Sequence, residues 1–135
     1  MPAAVRYFGY LAKSKPADLA IWHQCFSACH VLLLPTRAEC FGVVFAEAAA
    51  FALPSISTRV GGVPDAVADG LSGVLFDRDD GPASYCNVLQ RLAGDLDHYQ
   101  ALARSAYQHY LNKLNWHTTA AQFSEHLLAR LRAGT

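Results

Sequence analysis

Charged side chains are scarce in this chain. They make up 16% of its 135 residues, and the 11 basic and 11 acidic groups cancel. That balance suggests no charge-driven binding to nucleic acid or an anionic membrane, and it excludes the charge excess of a disordered segment. No basic-then-apolar leader opens the sequence. Its longest apolar stretch is broken by Glu47 and bounded by Pro54, too short for a membrane span, so the expectation is a cytoplasmic protein with no nucleic-acid partner. Paired C-x-x-C spacing is missing too. Cys25 and Cys29 stand one helical turn apart, Cys40 and Cys86 are isolated, and the six His make no zinc-type spacing with them, which predicts no metal site and four buried free thiols. Cys40 is set apart by its neighbour Glu39.

Apolar residues are plentiful, at 53%. A chain of this length buries roughly two-thirds of the surface its unfolded form exposes, enough for one domain with a real core. Val5 to Leu11 reads as a short strand. Lys15-Pro16 opens a helix whose Leu19, Trp22, Cys25, Phe26 and Cys29 fall at helical spacing. Val31 to Leu34 is a continuous apolar run, as in a parallel strand buried on both faces. The polar loop Thr36 to Cys40 leads into a helix from about Gly42 to Ala52, and Pro54 to Thr58 resumes as a strand. Gly61-Gly62 and Pro64 signal a turn, followed by a short helix around Asp65 to Ala68 and a strand at Gly73 to Phe76. Pro82 to Ala93, Leu96 to Leu114 and Trp116 to Leu131 read as three closing helices, the second with a stripe of Leu96, Tyr99, Ala103, Ala106 and Tyr110. Strands alternating with helices predict an α/β fold with a doubly wound, Rossmann-like parallel sheet, whose ligands bind beyond the carboxyl ends of the strands.

The loop Thr36 to Cys40 occupies such an end. A helix starting near Gly42 offers unpaired N–H groups and a partial positive charge, and Gly42 leaves an anion room to approach. Glu47 is the only charge in FGVVFAEAAAFAL. A carboxylate there needs a hydrogen-bonding partner, and its side chain tilts back toward the helix start. Glu39 precedes the same amides. Carboxylates accept hydrogen bonds from sugar diols, so the pattern suggests a phosphate with a sugar on each side.

At these residues the chain resembles a known family. The stretch PTRAECFGVVFAEAAAFALPSISTRVGGVPDAVADGLSGVLF is similar to the donor-binding core of GT-B glycosyltransferases, in particular the retaining enzymes of family 4, group 1 type. That family carries two Glu separated by seven residues, then a Gly-Gly-x-Pro-acid loop and a D-G-x-x-G turn. Here these are Glu39 and Glu47, Gly61-Gly62-Val63-Pro64-Asp65, and Asp69-Gly70-Leu71-Ser72-Gly73. Phe8-Gly9-Tyr10-Leu11 resembles the family's base-contacting strand and turn, and Asn115-Trp116 resembles the start of its C-terminal helix.

The resemblance implies a nucleotide-sugar site and no cofactor beyond that donor substrate. Glu39 would hold hydroxyls of the donor sugar and act as the catalytic residue. The backbone of Cys40, Phe41 and Gly42 would line that sugar, with the amides of Gly42, Val43 and Val44 near the diphosphate. Glu47 would bind the ribose diol, and the backbone around Tyr10 and Leu11 would contact the base. The reaction implied is transfer of a sugar, with retained configuration, to an acceptor the sequence does not identify, and a full-length enzyme of this kind could lie at the periphery of a membrane. Asp65 stands where the family usually has Glu, and a shorter carboxylate can still cap a helix.

The family's acceptor domain, and the first part of its donor domain with an Arg and a Lys facing the diphosphate, have no counterpart before Met1. The expectation is therefore part of one domain of a two-domain enzyme. Val5 to Leu11 would be strand 3 of the order 3-2-1-4-5-6, without its neighbours and therefore misplaced, swapped or paired with a second copy of the chain. A non-catalytic remnant or a module needing a partner chain is the alternative. A nucleotide-sugar epimerase fits the two-Glu spacing and the Gly-Gly-x-Pro loop less well.

Overall fold

The computed structural model describes residues 4–133. Three parallel strands, β1 (Leu32–Leu34), β2 (Ser55–Thr58) and β3 (Gly73–Phe76), lie side by side in chain order. Leu33 stands opposite Ile56, and Ile56 opposite Val74. Parallel neighbours need crossovers. Here these are α2 (Val43–Ala50) between β1 and β2, and α3 (Val63–Ala66) between β2 and β3, while α1 (Pro16–Ala28) leads into β1. After β3 come α4 (Pro82–Gly94), α5 (Leu96–His109), a π-helical turn at Tyr110–Leu114 and α6 (Trp116–Ala133).

Helices cover both faces of the sheet. Phe45 of α2, Val63 and Ala66 of α3, and Val67 pack on Leu75, with Leu32 and Leu34 against them. On the opposite face Ile56 meets Leu92 of α4 and Leu102 of α5, flanked by Phe76, Tyr85, Leu89 and Tyr99. The central strand β2 is buried at every position. Two of its polar side chains find partners: Ser57 Oγ donates to the Leu34 carbonyl at 2.7 Å, and Thr58 Oγ1 lies 3.1 Å from the Tyr85 hydroxyl.

Several expectations need correction. Val5 to Leu11 is not a strand, and its side chains are exposed apart from half-buried Leu11. A strand is defined by ladder hydrogen bonds, and among the described residues this segment pairs with none of the three strands. Strand 3 of the order 3-2-1-4-5-6 would pair with strand 2, not with the strand corresponding to β1. Strand β1 is buried less than its sequence suggests, with Leu33 44% exposed. The thiols are free as expected, but Cys29, Cys40 and Cys86 are exposed and Cys25 is half-buried.

Helix α2 stops at Ala50, two residues short of the expected end. Ala52 takes a left-handed φ of 55° and the Leu53 N–H closes on the Ala48 carbonyl at 2.9 Å, which turns the chain before Pro54. The second closing segment, expected to run from Leu96 to Leu114, is interrupted as well. Asn115 Nδ2 donates to the carbonyls of Tyr110 and Leu111 at 3.0 and 2.6 Å, and the Asn115 N–H reaches Tyr110 at 3.2 Å, widening the last turn into a π-turn. Asn115 Oδ1 then accepts from the Thr118 N–H at 2.9 Å and starts α6. Leu102, not Leu96, anchors α5 in the core. Asp65 does not cap a helix, because α3 has already begun at Val63 after Gly62.

Candidate functional site

The loop after β1 and the start of α2 form one unit with the Gly61-Gly62 turn. The Gly62 N–H points at the Glu39 carbonyl, 3.4 Å away. A Cβ on Gly61 would lie 1.9 Å from the Glu39 carbonyl oxygen, and one on Gly62 would lie 2.0 Å from that of Cys40. Gly61 also has a φ of +52°. Glycine is required here because two backbones touch, a closer constraint than the turn the sequence suggests.

Gly42 is the N-cap of α2, at φ 74°, and no side chain caps that helix. A Cβ at Gly42 would strike the Phe45 ring at 2.5 Å. The Phe45 N–H is bonded to the Gly42 carbonyl at 2.9 Å. Val43 and Val44 are thus the first-turn positions whose amides have no carbonyl within the helix to bond, the arrangement that attracts an anion. The Glu39 side chain stands beside them, its Oε1 accepting from the Cys40 N–H at 3.0 Å. One such bond uses a fraction of what a carboxylate can accept, leaving Oε2 open to hydroxyls.

Glu47 lies on the second turn of α2, with its side chain 26% exposed. Its partner is Lys13, whose Nζ donates to Oε1. Lys13 Nζ also lies over the Trp22 ring, 4.3 Å from its centroid. Trp22 stacks on Phe26 at 4.1 Å and meets Phe51 edge-on at 5.5 Å. An ion pair this open to solvent is worth about 1 kcal/mol or less, so its main consequence is placement: it ties the segment after Tyr10 and Leu11 to α2. Nothing in the sequence pattern marked Lys13, because the contact spans 34 positions.

The predicted residues therefore divide into two groups. Glu39, Cys40, Phe41, Gly42, Val43 and Val44 are gathered at the start of α2, with Glu47 one turn on. Tyr10 is 91% exposed and Leu11 is half-buried, and the nearby Lys13 is what reaches Glu47. Phe41, Val43 and Glu47 also line a groove of about 450 Å³ with Trp22, Phe51 and Trp116. Arg59 does not face these residues as a free charge, since it pairs with Asp69 at 2.6 Å and Asp77 at 3.5 Å. Asp69 is the turn residue the sequence suggests. Burial raises its carboxyl pKa, but the Leu75 N–H at 2.9 Å and the Arg59 guanidinium outweigh this and hold it below the usual carboxylate range.

Residues 2–95 match the family described as Glycosyl transferases group 1. The chain belongs to this family. D-inositol 3-phosphate glycosyltransferase of Corynebacterium kroppenstedtii is 34% identical over 125 residues, covering 93% of this chain and 27% of that protein. Its counterpart from Thermomonospora curvata is 39% identical over 107 residues, covering 79% of this chain and 24% of the relative. Among solved structures, sucrose-phosphate synthase from Thermosynechococcus elongatus superposes with a TM-score of 0.69 at 29% identity, over 87% of this chain and 28% of that one. Anabaena Alr3699/HepE in complex with UDP and glucose superposes with a TM-score of 0.77 at 22% identity, over 95% of this chain and 33% of that one. The fold of this group 1 chain is accordingly that of GT-B glycosyltransferases. It spans about a quarter of the length of the curated relatives it matches. Among the described residues, no helix is long and apolar enough to cross a membrane.

Proposed function

We propose that this group 1 chain is the donor-binding portion of a retaining glycosyltransferase. It binds a nucleoside diphosphate sugar and serves transfer of that sugar to an acceptor carried by another part of the enzyme or by solution. The observation that carries the reading is the uncapped start of α2 set between two carboxylates. The diphosphate lies against the Gly42 to Val44 amides, where the helix start favours negative charge. Glu39, through Oε2, accepts from hydroxyls of the donor sugar as it separates from the diphosphate. Glu47 accepts from the ribose diol, and the backbone of Tyr10 and Leu11 faces the base. Amides aimed at the departing diphosphate supply the electrostatic stabilisation that such a leaving group needs.

The test is calorimetric titration of the chain with UDP-, GDP- and ADP-glucose, on the native sequence and on Glu39→Gln. One of the three should bind. Glu39→Gln keeps the shape but loses charge-assisted acceptance, so it should weaken the nucleotide sugar about tenfold while leaving the bare nucleoside diphosphate within about twofold. Equal weakening of both would remove Glu39 from the sugar. A second reading, a module that binds the nucleotide sugar without turning it over, draws on charge: Glu39 and Glu47 flank the α2 start, and the one cation paired there, among the described residues, is Lys13. Release of nucleoside diphosphate over hours in the same cell, or its lack, separates the two.

A further inference from the structure

Lys13 is held from two sides, by Glu47 Oε1 and by the face of Trp22. Trp22 is itself fixed by Phe26 and Phe51, so the ammonium has a built seat. Lys13 occupies one oxygen of Glu47 and leaves Oε2 as an acceptor. It also follows Tyr10 by three residues and Leu11 by two, so the side chain that grips Glu47 adjoins the segment assigned to the base.

Resting on the donor-site reading above, we propose that Lys13 is a positioning residue for ribose recognition: by holding Glu47 Oε1 it aims Oε2 at the ribose diol. A carboxylate free to rotate would have to be ordered when the nucleotide binds, and one already held does not carry that cost.

The experiment compares the native chain, K13M and K13R by calorimetry against UDP, GDP and ADP and against the 2′,3′-dideoxy form of whichever binds best. Methionine keeps an unbranched stem over Trp22 and removes the charge. K13M should weaken the ribonucleotide about tenfold, the scale of one charge-assisted hydrogen bond, and the dideoxynucleotide less than about twofold. K13R should restore most of the affinity, since a guanidinium can hold the same oxygen and stack on the same ring. Equal losses for both nucleotides would make Lys13 a general attractor of phosphate and overturn the proposal. No loss at all, with the native chain binding normally, would overturn it as well while leaving the donor site standing. Failure of the native chain to bind any of the three nucleotides would overturn the donor site and this inference together.

Discussion

Gly61→Ala should lower stability by about 2–4 kcal/mol, combining the left-handed φ with the overpacking of a Cβ against backbone. The position leaves no escape, because the Cβ would sit 1.9 Å from the Glu39 carbonyl oxygen, and a carbonyl cannot rotate away as the tip of a flexible side chain can. Either the 61–62 turn or the 39–40 loop must move. Gly62→Ala isolates the steric part: its φ of −88° suits any residue, yet its Cβ would meet the Cys40 carbonyl at 2.0 Å. It should cost about 1–3 kcal/mol. Gly94→Ala is the control, since nothing lies within 4 Å of the added carbon and alanine is the better helix former by about 0.5–1 kcal/mol. Denaturant unfolding monitored by circular dichroism gives all three values. Both turn variants should also lose nucleotide-sugar affinity, because the displaced backbone is the one that carries Glu39. A Gly61→Ala chain as stable as the native one would mean that the two loops do not touch.

The second large effect falls on Glu47. Two hydrogen bonds from a ribose diol to a carboxylate contribute about 3 kcal/mol together. Glu47→Ala should therefore weaken nucleoside diphosphate binding roughly 100-fold, at 1.4 kcal/mol for each factor of ten. Unlike Glu39→Gln, the loss should be the same with and without the sugar. Folding should change little, since the pair with Lys13 is half-exposed and contributes about 1 kcal/mol or less. A calorimetric affinity unchanged in Glu47→Ala would remove Glu47 from the site. It would reduce the Lys13 pair to an ordinary surface contact.

The outcome at these residues shows what one-dimensional patterns can carry. The strands at 32–34, 55–58 and 73–76 and the helical periodicities between them were legible because short strand-like segments alternate with helical spacing in a parallel α/β sheet. So was the start of α2 after Gly42, which follows from a glycine at a helix beginning. Long-range pairings were not legible. Val5 to Leu11 has strand composition, but a strand also needs a neighbour, and composition does not supply one. Lys13 reads as a loop lysine until the fold brings Glu47 to it. Gly61-Gly62 reads as a turn, and only the fold shows Glu39 and Cys40 pressed against it. The isolated Glu47 did signal that a partner was required, and the structure supplies one in Lys13 that the local sequence did not name. The π-turn at 110–114 has a local cause in the Asn115 side chain, yet a polar residue at a helix junction signals a cap more readily than a widened turn.

The central claim is that a nucleoside diphosphate sugar lies across the start of α2, with Glu39 on its sugar side and Glu47 on its ribose side. Backbone amide mapping by heteronuclear NMR, as the best-binding nucleotide sugar is titrated into the chain, tests it most directly. The account predicts the largest shifts at Cys40 through Val44, with further shifts at Glu47 and at Leu11 to Lys13. The groove lined by Leu33, Arg37, Arg78 and Tyr85 should remain quiet. Shifts concentrated in that groove, with the Gly42 to Val44 amides unmoved at saturation, would contradict it.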